Sequence, residues 1–582
     1  MSDCIALLIA APASGQGKTS VTAGLARLLR DRGWRVRAFK WGPDFLDPSW
    51  LATASGQPVD NLDLAMGGEH DVRERLARAA AEADVLLIES AMGLFDGARS
   101  AADLAERLAL PILLVMDASH MAESFGALAA GLVRHRPGLR FAGVLANRVG
   151  SPRHAELLQR GLQAAGLQDL WLGAIGRQPL ALPSRHLGLI AASDVDDADA
   201  KLARLAQAVA ETELGAALPW ASSGANGLRN DPLEAEALGH AGDARAQQPD
   251  APMAPTARRL QAMPARPRPV RFGRRGAALA RVLRRGGRSR PASLRTSLNR
   301  PSAAPTQRLA ALARPLGAAT APGASPQPAR QPLWTRWRVH IAPPAPRPLP
   351  PLLAGVRIAV AHDAAFAFVY PANLACLRQL GAEVALFSPL AGDALPPCDA
   401  VWLPGGYPEL HAQALGQQQA LRQQLAEHVA HGKPVWAECG GMLALAEQLH
   451  WPSRALALPL WGLLPATVTQ HDRLQGLGMQ AWRGPHGLLR GHGFHHASFA
   501  TELVPQAHTH RLLSEATVDE QAPLEAIYRH GSIQASFFHA WFPSNPHATA
   551  ALFQSPADAL TDSPAATPAM AALPALSAAP ST

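Results

Sequence analysis

Ala10-Ala11-Pro12-Ala13-Ser14-Gly15-Gln16-Gly17-Lys18-Thr19-Ser20 is the stretch on which the fold turns. The apolar run Ile5 to Ala10 reads as a buried strand, and Val21, Leu25, Leu28 and Leu29 recur at the spacing of an amphipathic helix. Strand, small-residue loop and helix in that order are the setting a phosphate-binding P-loop requires. Gly15 and Gly17 let backbone N–H groups turn inward around phosphate oxygens at a helix N-terminus. Lys18 is placed to reach terminal phosphates and the Thr19 hydroxyl to bind Mg²⁺. Gly15, Gln16, Gly17, Lys18, Thr19 and Ser20 are therefore the candidate ATP-binding residues. Pro12 stands where the usual motif begins with glycine; its fixed φ stiffens the entrance without touching the amides that face the phosphates.

The 582 residues leave room for two to four domains, and the 48% hydrophobic content is that of a globular protein. No run offers the ~18 apolar residues of a membrane span. Met1 to Ala13 is not read as a leader, because Asp3 replaces the basic start and cleavage near Ala13 would destroy the loop. Cys4, Cys376, Cys398 and Cys439 contain no C-x-x-C pair, which points to a reducing cytoplasm. The net charge of +8 is local: residues 251–300 hold fourteen arginines and no Asp or Glu, so the rest of the chain is mildly acidic.

Residues 1–215 alternate buried strands (Val36 to Phe39, Val85 to Glu89, Ile112 to Asp117, Ala142 to Asn147, Leu172 to Ile175) with helical segments. That is an α/β pattern, a doubly wound and mostly parallel sheet. Residues 216–352, rich in Pro, Arg, Ala, Gly and Ser, read as a long disordered linker with one short helix at 277–283. A second α/β pattern covers 353–554, with strands at Val356 to Val360, Glu383 to Phe387, Ala400 to Leu403 and Pro434 to Ala437. Residues 555–582 read as a loose tail.

In the first domain, Lys40-Trp41-Gly42-Pro43-Asp44-Phe45-Leu46-Asp47-Pro48 follows the second strand. A parallel sheet puts that lysine and those carboxylates at the strand's C-terminal edge, beside the phosphate loop. Asp44 is placed to join Thr19 on Mg²⁺, and Asp47 to complete that shell or orient a substrate. Glu89 closes another buried strand, the usual position for a second metal-side acid, and Met92-Gly93-Leu94-Phe95-Asp96-Gly97 follows it.

These stretches resemble the ATP-binding domain of the cobyrinic and hydrogenobyrinic acid a,c-diamide synthases, with their K-x-G-P-D-[FY]-[IL]-D, E-x-x-M-G-L-F-D-G and R-H-L-G-L motifs. The chain supplies Lys40 to Asp47, Glu89 to Gly97 and Arg185-His186-Leu187-Gly188-Leu189 in that order. The resemblance implies a dethiobiotin-synthetase-like fold. It implies a substrate or phosphoryl site at Lys40, Leu46, Asp47, Arg185 and His186, and Asn147 as an adenine reader.

In the second domain, Trp436-Ala437-Glu438-Cys439-Gly440-Gly441 places a cysteine on a sharp turn after a strand. A helix N-terminus there is expected to lower the thiol pKa. Gly405-Gly406-Tyr407-Pro408-Glu409 can supply N–H donors for an oxyanion, and His539 in Ser536-Phe537-Phe538-His539 offers a base. This set resembles a class I, flavodoxin-like glutamine amidotransferase domain of the cobyric/cobyrinic branch. The resemblance implies Cys439 as nucleophile, His539 as its base without a third carboxylate, and the Gly406 and Gly440 amides as oxyanion donors. Trp541 stands where the family often has a second histidine, and Gly493 replaces the acid of its G-H-E-F-H motif. His492, His495 and His496 are read as surface or interdomain histidines, because no Cys, Asp or Glu lies at zinc-ligand spacing.

The implied function is ATP- and glutamine-dependent amidation of the a and c carboxylates of a corrinoid, through an acyl phosphate, in cobalamin biosynthesis. The expected partners are a corrinoid polycarboxylate, L-glutamine and Mg-ATP, with a homodimer left open and no membrane. Two alternatives stand beside it: a cobyric acid synthase acting on other carboxylates, against which Lys40-Trp41-Gly42-Pro43-Asp44 argues, and a partitioning-type P-loop ATPase with a non-catalytic module, whose signature lysine is Ala13 here. The arginine stretch lacks interleaved aromatics, so nucleic acid is not expected as a partner.

Overall fold

The computed structural model describes residues 3–97, 99–177, 182, 184–185, 188–189, 192, 195–221 and 333–555. The expected helix at 277–283, the arginine stretch, His186 and all but the first residue of the tail lie outside them.

The N-terminal sheet is built from β1 (Asp3–Ala10), β2 (Val36–Trp41), β3 (Asp60–Leu62), β4 (Val85–Ser90), β5 (Pro111–Asp117), β6 (Arg140–Val149) and β7 (Trp171–Gly176). They run parallel in the order β3-β2-β4-β1-β5-β6-β7. The period of two explains why β1 lacks polar residues after Asp3. Ile5, Leu7 and Ile9 pack on one face with Leu25, Leu29 and Leu202, while Ala6 and Leu8 pack on the other with Leu76 and Leu104. Burying each such aliphatic side chain contributes ~1.5–3 kcal/mol. The phosphate loop connects β1 to α1 (Lys18–Asp31), and the Lys40–Asp47 turn connects β2 to α2 (Asp47–Ser55). Both turns leave the same edge of the sheet, because β2 and β1 both pair in parallel with β4.

Two short strands, β8 (Ser184–Arg185) and β9 (Gly188–Leu189), form a small antiparallel pair that carries the backbone of Arg185. The 216–352 linker assignment needs correction at its far end. β10 (Arg338–His340) pairs antiparallel with β1, Asp3 opposite His340 and Ile5 opposite Arg338. The physical reason is an open ladder: β5 joins β1 only from Leu8 onward, leaving residues 3–5 of β1 unpaired on that side until β10 fills it. Trp337 and Val339 are buried in the two cores that flank the sheet.

The C-terminal sheet begins with five parallel strands in the order Glu383–Phe387, Arg357–Ala361, Ala400–Leu403, Val435–Glu438 and Ile533–Ser536. It continues antiparallel through Val518–His530, Ala507–Leu512, Gly476–Gly484, Gly487–His495 and Phe538–Ala540. A separate four-stranded sheet is formed by Gln448–Trp451, Leu456–Pro459, Ala466–Gln470 and Ala497–Thr501. The parallel half is the expected α/β pattern, and the antiparallel half brings the late His539 back to the early strands. Among the described residues no helix is long and apolar enough to cross a membrane.

Candidate active site

The phosphate loop is held open by glycine. Gly17 has φ 93°, and a Cβ there would lie 2.2 Å from Asn147 Nδ2. A side chain would therefore meet both backbone strain and a clash. Asn147 ends as a brace for the loop: its Nδ2 donates to the Gln16 carbonyl at 2.9 Å, and its Oδ1 accepts from Arg148 N at 3.0 Å. Gln16 Oε1 in turn accepts from Asp117 N at 2.8 Å. Lys18 Nζ folds back to the Ala13 carbonyl at 3.2 Å, and burial lowers its pKa. Ser20 lies in the first turn of α1.

Thr19 Oγ1 lies 2.7 Å from Glu89 Oε1 and 3.2 Å from Asp47 Oδ2. The Lys40 ammonium, buried at the end of β2, donates to Asp47 Oδ2 and to Glu89 Oε1, the latter at 2.9 Å, with Asp44 Oδ2 3.7 Å away. Burial alone would push Lys40 down, but Glu89, Asp47 and Asp44 together outweigh it and hold the ammonium charged. Burial pushes Glu89 up to about 7, opposed by Lys40. Asp44 belongs to the same cluster through Lys40. Its Oδ1 accepts the Leu46 and Asp47 N–H groups, each at 3.0 Å, so it shapes the turn while Asp47 approaches Thr19. Burial raises Asp44 as well.

The donor set fits Mg²⁺ that arrives with phosphate. Glu89 Oε2 is a buried oxygen without a hydrogen-bond partner, next to a hydroxyl and a second carboxylate. Among the described residues no three His, Cys, Asp or Glu side chains form a metal cage of their own. A site of one or two carboxylates plus nucleotide oxygens is the usual protein share for Mg²⁺.

In the other half, Cys439 occupies a strained elbow, φ 44° and ψ −105°, between Val435–Glu438 and the helix Gly440–Leu445. Its N–H donates to the Ser536 carbonyl at 2.7 Å, and its Sγ faces the Phe494 carbonyl at 3.7 Å. A Cβ at Gly440 would lie 2.8 Å from Gly406 N, so the two glycine stretches approach at a distance only glycine allows. His539 is fully buried in the strand Phe538–Ala540, in register with His492, and the two imidazoles stack at 4.9 Å.

The expected acidic thiol needs correction. Burial pushes the Cys439 thiol up, with the Glu409 carboxylate adding to it, and burial pushes His539 well down, with His492 adding to it. Desolvation of a closed site outweighs one short helix's dipole. Both His539 nitrogens lack hydrogen-bond partners, so no Sγ–imidazole bond is made. The other expected histidines serve structure: His492 Nε2 meets Tyr370 Oη at 2.8 Å, and His495 pairs with Glu525 at 3.1 Å.

Two family models match the chain, the CobQ/CobB/MinD/ParA nucleotide binding domain over residues 7–187 and the CobB/CobQ-like glutamine amidotransferase domain over 357–547. The chain is 42% identical over 558 residues to the hydrogenobyrinate a,c-diamide synthase of Stutzerimonas stutzeri (strain A1501), covering 95% of this chain and 99% of that protein. It is 40% identical over 560 residues to the Pseudomonas aeruginosa hydrogenobyrinate a,c-diamide synthase, 96% of this chain and 99% of the relative. The cobyrinate a,c-diamide synthase of Herminiimonas arsenicoxydans is 36% identical over 548 residues, 94% and 96%. The chain belongs to the cobyrinate/hydrogenobyrinate a,c-diamide synthase family.

In this a,c-diamide synthase the two halves share an apolar seam that sequence reasoning missed. Met66 is buried with Tyr370, Ala372 and Trp541, and Phe45 and Met479 pack against them. Arg75 lies over the Trp541 ring at 5.2 Å, and Arg490 donates to the Gly67 carbonyl at 3.2 Å. Trp541, noted as a departure from the family's histidine, is thus a seam residue. An aromatic inside a charged motif, Phe45 among Lys40, Asp44 and Asp47, was the available signal.

Proposed function

We infer that this a,c-diamide synthase uses ATP to activate the a and c carboxylates of cobyrinate or hydrogenobyrinate and amidates them with ammonia from glutamine. The observation that carries the reading is the convergence of Asp47 and Glu89 on Thr19 beside the phosphate loop, with Lys40 bound to both carboxylates. A carboxylate is a poor electrophile, and transfer of the γ-phosphoryl group makes it an acyl phosphate with a good leaving group. Thr19, Asp47 and Glu89 would hold Mg²⁺, which supplies charge neutralisation on the phosphate oxygens. Lys18 and the loop amides orient the phosphates, Lys40 favours the ionised form of the carboxylates against burial and holds them in place, and Asn147 fixes the loop. Arg185 is retained as a substrate-side residue on the strength of its motif.

At Cys439 the S–H proton passes to His539 as sulfur bonds to the glutamine δ-carbon. Gly406 and Gly440 N–H groups stabilise the oxyanion; the C–N bond then breaks, ammonia leaves with the imidazolium proton, and water, losing a proton to His539, hydrolyses the γ-glutamyl thioester to glutamate while that proton returns to the sulfur. Neutral thiol and neutral base are the correct starting forms for that transfer. Ammonia then displaces phosphate from the acyl phosphate. Four free, buried cysteines accord with a cytoplasmic location.

Incubation with Mg-ATP, amide-labelled glutamine and each corrinoid acid, followed by product mass, tests the reading. Label entering two carboxylates of one substrate is expected; a single amidation, or label at other carboxylates only, contradicts it.

A further inference from the structure

Phe45 belongs to the phosphate half by sequence and to the glutaminase half by contact. Its ring lies 4.6 Å from Phe368, nearly parallel at 7°, and 4.3 Å from Tyr370. It also reaches the histidines, 5.4 Å from the His539 ring and 5.8 Å from His492. His539 is therefore packed by Phe45, Phe368 and His492, with neither nitrogen hydrogen-bonded and Cys439 Sγ facing the Phe494 carbonyl. At its other end Phe45 cannot move alone. Asp44 Oδ1 grips the N–H groups of Leu46 and Asp47, and Asn61 Nδ2 grips the Gly42 and Asp44 carbonyls at 2.9 and 2.8 Å. A displacement of Asp44 or Asp47 is transmitted to the Phe45 ring through a pinned turn.

We propose that Phe45 is a positioning residue that couples the two reactions: its ring fixes the rotation of His539 out of hydrogen-bonding reach of Cys439, and engagement of the Lys40–Asp47 turn by the nucleotide and the corrinoid carboxylate shifts the ring and lets His539 meet the thiol. The proposal rests on the roles given above to Cys439 and His539. It makes glutamine hydrolysis conditional on an occupied synthetase site, which spares glutamine when no carboxylate is waiting. The stack Phe45–Phe368 is the lever, because it is a nearly parallel ring contact between the two halves at this point.

The test measures glutaminase activity of the full chain with and without Mg-ATP plus corrinoid acid, and separately measures amidation driven by added ammonia. In the unsubstituted enzyme the synthetase ligands raise glutamine hydrolysis. Phe45→Ala raises the unstimulated rate about fivefold or more, brings the stimulation close to one, and leaves ammonia-driven amidation within about twofold. Phe368→Leu, on the opposite side of the stack, does the same and carries the test if Phe45→Ala does not fold. Stimulation that survives in the folded variants overturns the proposal, as does an unsubstituted enzyme whose glutaminase ignores the synthetase ligands. Loss of glutaminase activity on Phe45→Ala with stimulation intact also overturns it. Failure of the underlying reading shows elsewhere, as glutaminase activity that persists in Cys439→Ala.

Discussion

The two reaction centres bury ionisable groups in opposite ways. Around Thr19 the buried charges are paired: one ammonium, Lys40, faces Asp44, Asp47 and Glu89 and stays charged, and it opposes the burial that pushes Glu89 up to about 7 and raises Asp44. Around Cys439 they stand alone, and burial drives each toward its neutral form: thiol and Glu438 up, the latter to about 8, His539 down. The difference matches the chemistry. Phosphoryl transfer needs fixed charge in place before the transition state forms. Amide attack needs a proton to move, so neutral partners at rest cost less to bury and become an ion pair only when substrate arrives.

If the charged centre works as a unit, the largest effect comes from its deepest acid. Glu89→Gln should lower amidation ~10²–10³-fold with either glutamine or ammonia, while glutamine hydrolysis continues. Steady-state rates with both nitrogen donors check this, and unaltered amidation would remove Glu89 from the site. Asp47→Asn should come next at ~10²-fold, with Asp44→Asn milder at about tenfold, because Asp44 holds backbone N–H groups and Asp47 approaches Thr19. The reverse ranking would restore Asp44 as the metal-side acid.

The neutral centre is probed by thiol alkylation in the absence of glutamine. A thiol pKa raised in the folded protein means a thiolate fraction that is small near neutrality and grows with pH across the accessible range. Cys439 modification by iodoacetamide should therefore rise ~10-fold per pH unit without levelling off. A plateau at neutral pH would instead reveal a thiolate–imidazolium pair at rest. The smallest effect belongs to the loop brace. Asn147→Ala removes its hydrogen bonds to the Gln16 carbonyl and the Arg148 N–H, each worth ~1 kcal/mol, and should weaken nucleotide binding several-fold, read by calorimetric titration.

Local pattern made the charged centre readable. Lys40 and Glu89 sit at ends of strands whose apolar runs are unmistakable, Lys18, Thr19 and Asp47 open the helices that follow such strands, and a parallel sheet brings these positions together. The neutral centre was readable only as a list of residues. Its elbow at Cys439 follows from strand, glycine and helix, but the thiol's acidity depends on burial and on the Glu409 carboxylate, and the groups around it, Phe494 and Glu409, come from stretches far from Cys439 in the chain. β10 escaped because three residues in a Pro- and Arg-rich stretch carry no period, and only the free ladder of β1 explains their strand. The antiparallel strands beyond 448 alternate His, Gly, Arg and Gln with few apolar residues, as in Gly487–His495, so their pairing with Phe538–Ala540 had no sequence signal.

The central claim is a division of labour, in which one half of the chain makes ammonia and the other uses it. Cys439→Ala, assayed with Mg-ATP, hydrogenobyrinate or cobyrinate, and either glutamine or ammonium chloride, tests it most directly. The account predicts that amidation with glutamine falls by at least ~10³-fold while amidation with ammonia stays within about twofold of the unsubstituted enzyme. A folded Cys439→Ala protein that has lost both activities equally, or one that still uses glutamine, would contradict it.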